Sequence, residues 1–144
     1  MNHKIKFTEI SRAELASLSK EVTDKLWDNF IQPVKDGLTP PDELQGKYKP
    51  SWASKFVNST MKLAFVENAK NKNLFHYHFG YRFYINGTDP DYDGDVSDGI
   101  VHTRIESTKD LTTHILLQVC LEHPSPFKYP FERSNDQPVE DKVA

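Results

Sequence analysis

The chain has 144 residues, 37% of them apolar and 27% charged, and its 18 basic and 21 acidic side chains give a formal charge of -3. That length suits one domain able to bury its own core without disulfide or metal staples, and the balance excludes global disorder. A net acidic chain has no general attraction for phosphate, so any nucleic-acid site must be a local patch.

The opening Met1-Asn2-His3-Lys4-Ile5-Lys6 lacks the apolar stretch of a signal peptide, and no run is long enough to cross a bilayer, so a cytoplasmic protein with no membrane partner is expected. His3 to Glu9 alternates polar and apolar side chains and reads as a first strand. Ser11-Arg12-Ala13-Glu14 has capping-box spacing and predicts a helix start. Leu15, Leu18, Val22, Leu26, Phe30 and Val34 then form an apolar stripe, with Trp27 expected in the core beside it. Pro33 should end or kink the helix near Gln32, and Gly37 closes the segment. Leu38 to Pro50 is loop chemistry, rich in proline and charge.

From Ser59 the period changes to two, with Met61, Leu63 and Phe65 on one face, and Phe75 to Ile85 reads as an aromatic strand. Gly99 to Ile105 and the apolar Leu111 to Leu121 complete a sheet, the latter holding Cys120, the lone cysteine, as a buried structural thiol. Prolines after Glu122 stop the ladder. The predicted architecture is one α+β domain over 1–133, an N-terminal amphipathic helix packed on a small antiparallel sheet, followed by a flexible tail at 134–144.

Several groups carry chemistry. Asp89, Asp91, Asp93 and Asp95 before Ser97-Asp98 match the first half of a calcium loop, but Ile100 stands where a bidentate glutamate belongs, so a solvated acidic hairpin loop is expected. His102 and Arg104 alternate on one strand face, where an imidazole and a guanidinium suit RNA cleavage through the 2′-hydroxyl, or else decorate a solvated surface. His76 and His78 likewise share a face of their strand, without a nearby cysteine to complete a zinc pattern, and they, like His114, are read as structural. Lys47, Lys49, Lys55 and Lys62, interleaved with Tyr48 and Trp52, have the cation-aromatic mixture that holds unstacked bases; Lys128, Tyr129 and Arg133 could add to it. No metal or cofactor is expected.

The ordered segments Lys35-Asp36-Gly37-Leu38-Thr39-Pro40, the strand carrying Lys62, Ser97-Asp98-Gly99-Ile100-Val101-His102-Thr103, and Ile115 to Leu121 leading into Pro124-Ser125-Pro126-Phe127-Lys128 resemble the YafO family of ribosome-dependent mRNA interferase toxins, within the RelE/ParE-like group. The resemblance implies a RelE-like fold and an endoribonuclease toxin of a type II toxin-antitoxin pair. Its partners would be the ribosome, the translated mRNA and a cognate antitoxin protein. On that basis His102 and His123 are candidate proton-transfer groups and Asp98 their orienter. Arg104, Lys62 and Lys128 contact phosphate, and Lys47, Lys49 and Lys55 bind RNA. Where the family tends to carry a histidine after the proline of its last segment, this chain has Phe127, which leaves that role to His123. The competing expectation is a non-catalytic protein-interaction or immunity-type module with an acidic loop.

Overall fold

The computed structural model describes residues 2–37, 44–51, 67–87, 92, 94–121 and 136–139. The strand expected around Met61, Leu63 and Phe65 lies outside them. Strand β1 is Asn2–Phe7, followed by α1 (Glu9–Ser17) and α2 (Lys20–Leu26). The helix begins two residues before the expected box, because Thr8 and Ser11 form it instead. Ser11 N–H donates to Thr8 Oγ1 at 3.0 Å and Thr8 N–H to Ser11 Oγ at 2.9 Å. Glu14, the expected partner in the box, accepts the Val119 N–H at 2.9 Å and ties the helix to the sheet. Thr8→Ala should therefore cost about 1 kcal/mol, read as a lowered urea midpoint at unchanged slope, with Thr8→Ser close to wild type.

The apolar stripe is carried by two helices rather than one. Leu18 adopts an extended conformation, and Ser19 caps α2 by accepting the Val22 N–H. Pro33 does not end the helix. Trp27–Ile31 widens into a π-helical turn, in which the Gln32 N–H reaches back to the Trp27 carbonyl, and α3 (Gln32–Lys35) follows with Pro33 in its first turn. The carbonyl that an N–H at position 33 would have satisfied, that of Asn29, accepts the Tyr77 hydroxyl at 3.0 Å, so the missing donor leaves nothing orphaned. Gly37, at φ 86°, closes the segment, with its N–H bonded to the Val34 carbonyl. Trp27 is 45% exposed, its ring beneath Lys35 Nζ rather than in the core.

The remaining strands are β2 (Tyr48–Pro50), β3 (Leu74–His78), β4 (Tyr84–Ile85), β5 (Val96–Ser97), β6 (Ile100–Ser107) and β7 (Leu111–Cys120). The expected strand from Phe75 to Ile85 is cut in two. Gly80, at φ 70°, turns the chain where a β-carbon would overlap the Tyr84 ring, and β4 then pairs with β5 in a separate ribbon. The five-stranded sheet has the order β1-β7-β6-β3-β2. It is not wholly antiparallel, because β1 runs parallel to β7.

Val22, Leu26, Phe30, Ile31 and Val34 of the helical segment share one buried cluster with Ile5, Tyr77, Val101, Leu116 and Val119 of the sheet. A smaller cluster of Ala69, Leu74, Ile115 and Leu117 lies on the opposite face, beside the helical residues 67–71. Residues 136–139 depart from the expected free tail: Val139 N–H donates to the Phe7 carbonyl at 2.8 Å and Pro138 bridges Thr8, using the outer edge of β1. Cys120 is half-buried at the end of β7, less enclosed than expected. Among the described residues, no helix is long and apolar enough to cross a membrane.

Candidate functional site

Alternation along β3 and β6 sends Leu74, His76, His78, His102 and Arg104 to the sheet face away from the main core. The ladder sets His76 opposite His102, and His102 opposite Gln118, before a bulge that leaves Leu117 as an extra residue on β7. The expectation that His102 and Arg104 share a face therefore holds in the backbone, and the same face also gathers His76 and His78. Their ring centroids lie 5.7 Å (His76 to His78) and 6.4 Å (His76 to His102) apart. All three imidazoles are buried, His102 at 2% exposure. Ser51 Oγ is 3.0 Å from His76 Nδ1. The Ser97 N–H donates to His78 Nδ1 at 3.0 Å, which leaves the proton of the neutral ring on Nε2; the Ser97 carbonyl, 3.2 Å from the same nitrogen, would bond only the other tautomer. Among the described residues no set of three or more His, Cys, Asp or Glu side chains is arranged to hold a metal.

Arg104 is 6% exposed yet lines an open pocket of about 270 Å³, together with Asn71, Lys72, Asn73, Ile105, Glu106 and Gln137. Its Nε donates to Glu106 Oε1 at 3.3 Å, and that carboxylate is 58% exposed. The wall is fixed by Asn73, which sits in the left-handed region at φ 55°. Its carboxamide donates to the Ile105 carbonyl at 2.6 Å while its own carbonyl accepts the Ile105 N–H at 3.1 Å. Asparagine tolerates that conformation better than most residues, so the turn after residues 67–71 is held firmly against β6. Lys72, Asn73, Glu106 and Gln137 were not singled out from sequence. The polar Asn71-Lys72-Asn73 turn ahead of a strand was the available signal.

The other expected site residues are dispersed. Asp98 is occupied by Arg82, whose N–H and Nε donate to its two oxygens at 3.0 and 2.7 Å. Burial alone would raise this carboxyl, but those bonds, with the Phe83 amide, outweigh it and hold it below the usual value. Lys47 is buried, its backbone shared between Asp95 and His78, and Lys49 lies over the Tyr92 ring. Tyr48 is not a platform for bases. It packs against Phe30, Phe75 and Tyr77, and its hydroxyl is 2.7 Å from Thr103 Oγ1 and 2.9 Å from His114 Nδ1. Burial pushes this phenol far above its ordinary value, opposed by the bond to Thr103. His123, Lys55, Lys62, Lys128, Trp52, Tyr129 and Arg133 lie outside the described residues, as do Asp89, Asp91 and Asp93. Asp95 is tied by backbone and side chain to Gln45.

His114 continues the Tyr48 network, with its Nε2 3.0 Å from His3 Nδ1 on the parallel neighbour β1. Burial first, and then the charge of His3, lower its imidazole to about 4. Because the folded value lies below the unfolded one, the unfolded chain binds more protons between about pH 4 and 6.5. The stability present above that window is lost as pH falls through it, by about 3 kcal/mol. Chemical denaturation at pH 7 and pH 4 should show this loss, and His114→Gln should flatten it.

No protein-family model, curated protein or solved structure matches the chain.

Proposed function

We propose that the chain is an RNA-cleaving toxin of the YafO type, with a RelE-like fold, acting on messages at the ribosome and restrained by a cognate antitoxin. The order of strand, helical segment and sheet, with helical side chains buried against one sheet face, supports the fold. One observation carries the function: a nearly buried guanidinium, Arg104, lines an open polar pocket on the face that also bears His102. In this reading His102 takes the 2′-hydroxyl proton, the oxygen attacks phosphorus, and the 5′-oxygen leaves with a proton from His123. Arg104, Lys62 and Lys128 balance the charge that develops on the phosphoryl oxygens. Lys47, Lys49 and Lys55 contribute to RNA attraction, whereas Asp98 is engaged by Arg82.

Induced expression should arrest growth and leave messages truncated at ribosomes. Continued growth with intact messages rejects the activity. The burial of His76, His78 and His102 favours a second reading, in which these imidazoles stabilise the sheet and the chain only binds a protein through its acidic loop. A basic partner captured without any RNA cleavage would select that reading.

A further inference from the structure

Directly after β4 stands Asn86-Gly87, and no other asparagine in the sequence is followed by glycine. Both residues are exposed. A β-carbon at position 87 would lie 2.1 Å from the Gly94 carbonyl oxygen across the ribbon, so the fold admits only glycine there. Asn86 is therefore followed by a backbone amide that no side chain screens. Asparagine is thermolabile in that setting, because its carboxamide carbon lies within reach of the next backbone nitrogen and the attack needs no encounter.

A hydrogen bond on either group restrains such an attack, and the acid-glycine pairs elsewhere in the chain show what restraint looks like. At Asp36-Gly37, the Gly37 N–H donates to the Val34 carbonyl at 3.0 Å and the Asp36 carboxylate accepts the Gln32 carboxamide at 3.0 Å. At Asp98-Gly99, Arg82 holds the carboxylate at 3.0 and 2.7 Å. Among the described residues, neither the Asn86 carboxamide nor the Gly87 N–H has a hydrogen-bond partner.

We propose that Asn86 is a site of spontaneous covalent modification, which converts it through a cyclic imide to aspartate and isoaspartate. The Gly87 nitrogen gives its proton to solvent base and attacks the Asn86 side-chain carbon. The new carbon-nitrogen bond forms, the bond to the carboxamide nitrogen breaks, and that nitrogen takes up a proton and leaves as ammonia. Water then opens the ring at either carbonyl, with nothing oxidised or reduced. Each product places a carboxylate where a neutral amide stood, just ahead of Asp89, Asp91, Asp93 and Asp95 in a chain already at -3. Isoaspartate also routes the main chain through the former side chain, one methylene longer, which shifts Gly87 against Gly94 and disturbs the neighbouring Ile85 to Val96 pairing. The five-stranded sheet does not include β4 or β5 and keeps its register. None of this depends on the RNA-cleaving reading.

The test incubates the full chain, folded and in guanidinium chloride, and follows each asparagine by peptide mass mapping with separation of the aspartyl and isoaspartyl products. Position 86 should convert first, at a folded rate within a few-fold of the denatured one, with one ammonia released per chain. The rate should rise about tenfold per pH unit, as the deprotonated amide does below its pKa. Asn86→Gln, whose longer side chain closes a larger ring, should abolish the acidic species on isoelectric focusing without moving the melt. Aged wild-type protein should lose amide-exchange protection at residues 84–85 and 96–97 and retain it in β6 and β7. Earlier conversion at another asparagine, an intact Asn86 in folded protein while the denatured chain converts, or an acidic species that persists in Asn86→Gln overturns the proposal.

Discussion

Phe30→Ala should destabilise the chain by about 3–5 kcal/mol, the loss expected when a fully buried phenyl ring is deleted and its space does not collapse. The ring is 0% exposed, stacked on Tyr77 at 4.9 Å and set edge-on to Tyr48 at 5.4 Å, so it joins the π-helical turn to β3 and β2. At roughly 2–4 °C per kcal/mol for a domain of this size, its melting temperature should fall by about 6–20 °C. Trp27→Ala, in the same turn, is the internal comparison. That ring is half exposed and contacts the Lys35 ammonium, a contact worth about 0.5–1 kcal/mol. If the two variants melted alike, the assignment of the core-facing side of this turn would be wrong.

On the proposed RNA-cleaving reading, Arg104→Ala should reduce message cleavage by about 10²–10³-fold, the range seen when one fixed donor is withdrawn from developing oxyanion charge. Arg104→Lys should recover only part of it, because an ammonium cannot reproduce a planar fork of donors. Because Arg104 is nearly buried, each variant is first checked for a cooperative melt and native circular dichroism. A folded Arg104→Ala protein that cuts messages at the wild-type rate would remove the guanidinium from the reaction.

Periodicity located most of the scaffold. The helical stripe, the strands at β6 and β7 and the closing role of Gly37 follow from local spacing, and they appear in the structure with shifted bounds. The differences arise where a distant partner decides. Thr8-x-x-Ser11 and Ser11-x-x-Glu14 are both capping spacings, and the choice falls to the first because Glu14 is taken by Val119, 105 residues away. Pro33 forbids an ordinary helix, but the wider turn and the Tyr77 hydroxyl relieve it, and neither is visible in the helix's own sequence. Tyr48 sits among lysines, yet a strand of three residues still sends its ring inward to Phe30 and Tyr77. For the site, alternation was enough to put His102 and Arg104 on one face. It could not reveal Lys72, which arrives through the turn that Asn73 anchors to β6, nor Arg82, which takes up Asp98.

The parallel pairing of β1 with β7 has a consequence for the newborn chain. His3 and His114, neighbours across that pair, are separated by 111 positions in the polypeptide. At roughly 5–20 residues per second, translation needs on the order of 5–20 s to supply β1 with its neighbour. Throughout that interval β1 lacks its parallel neighbour. The five-stranded sheet can close only once β7 has been made, so a fragment released before then would lack both the histidine pair and the strand between β1 and β6.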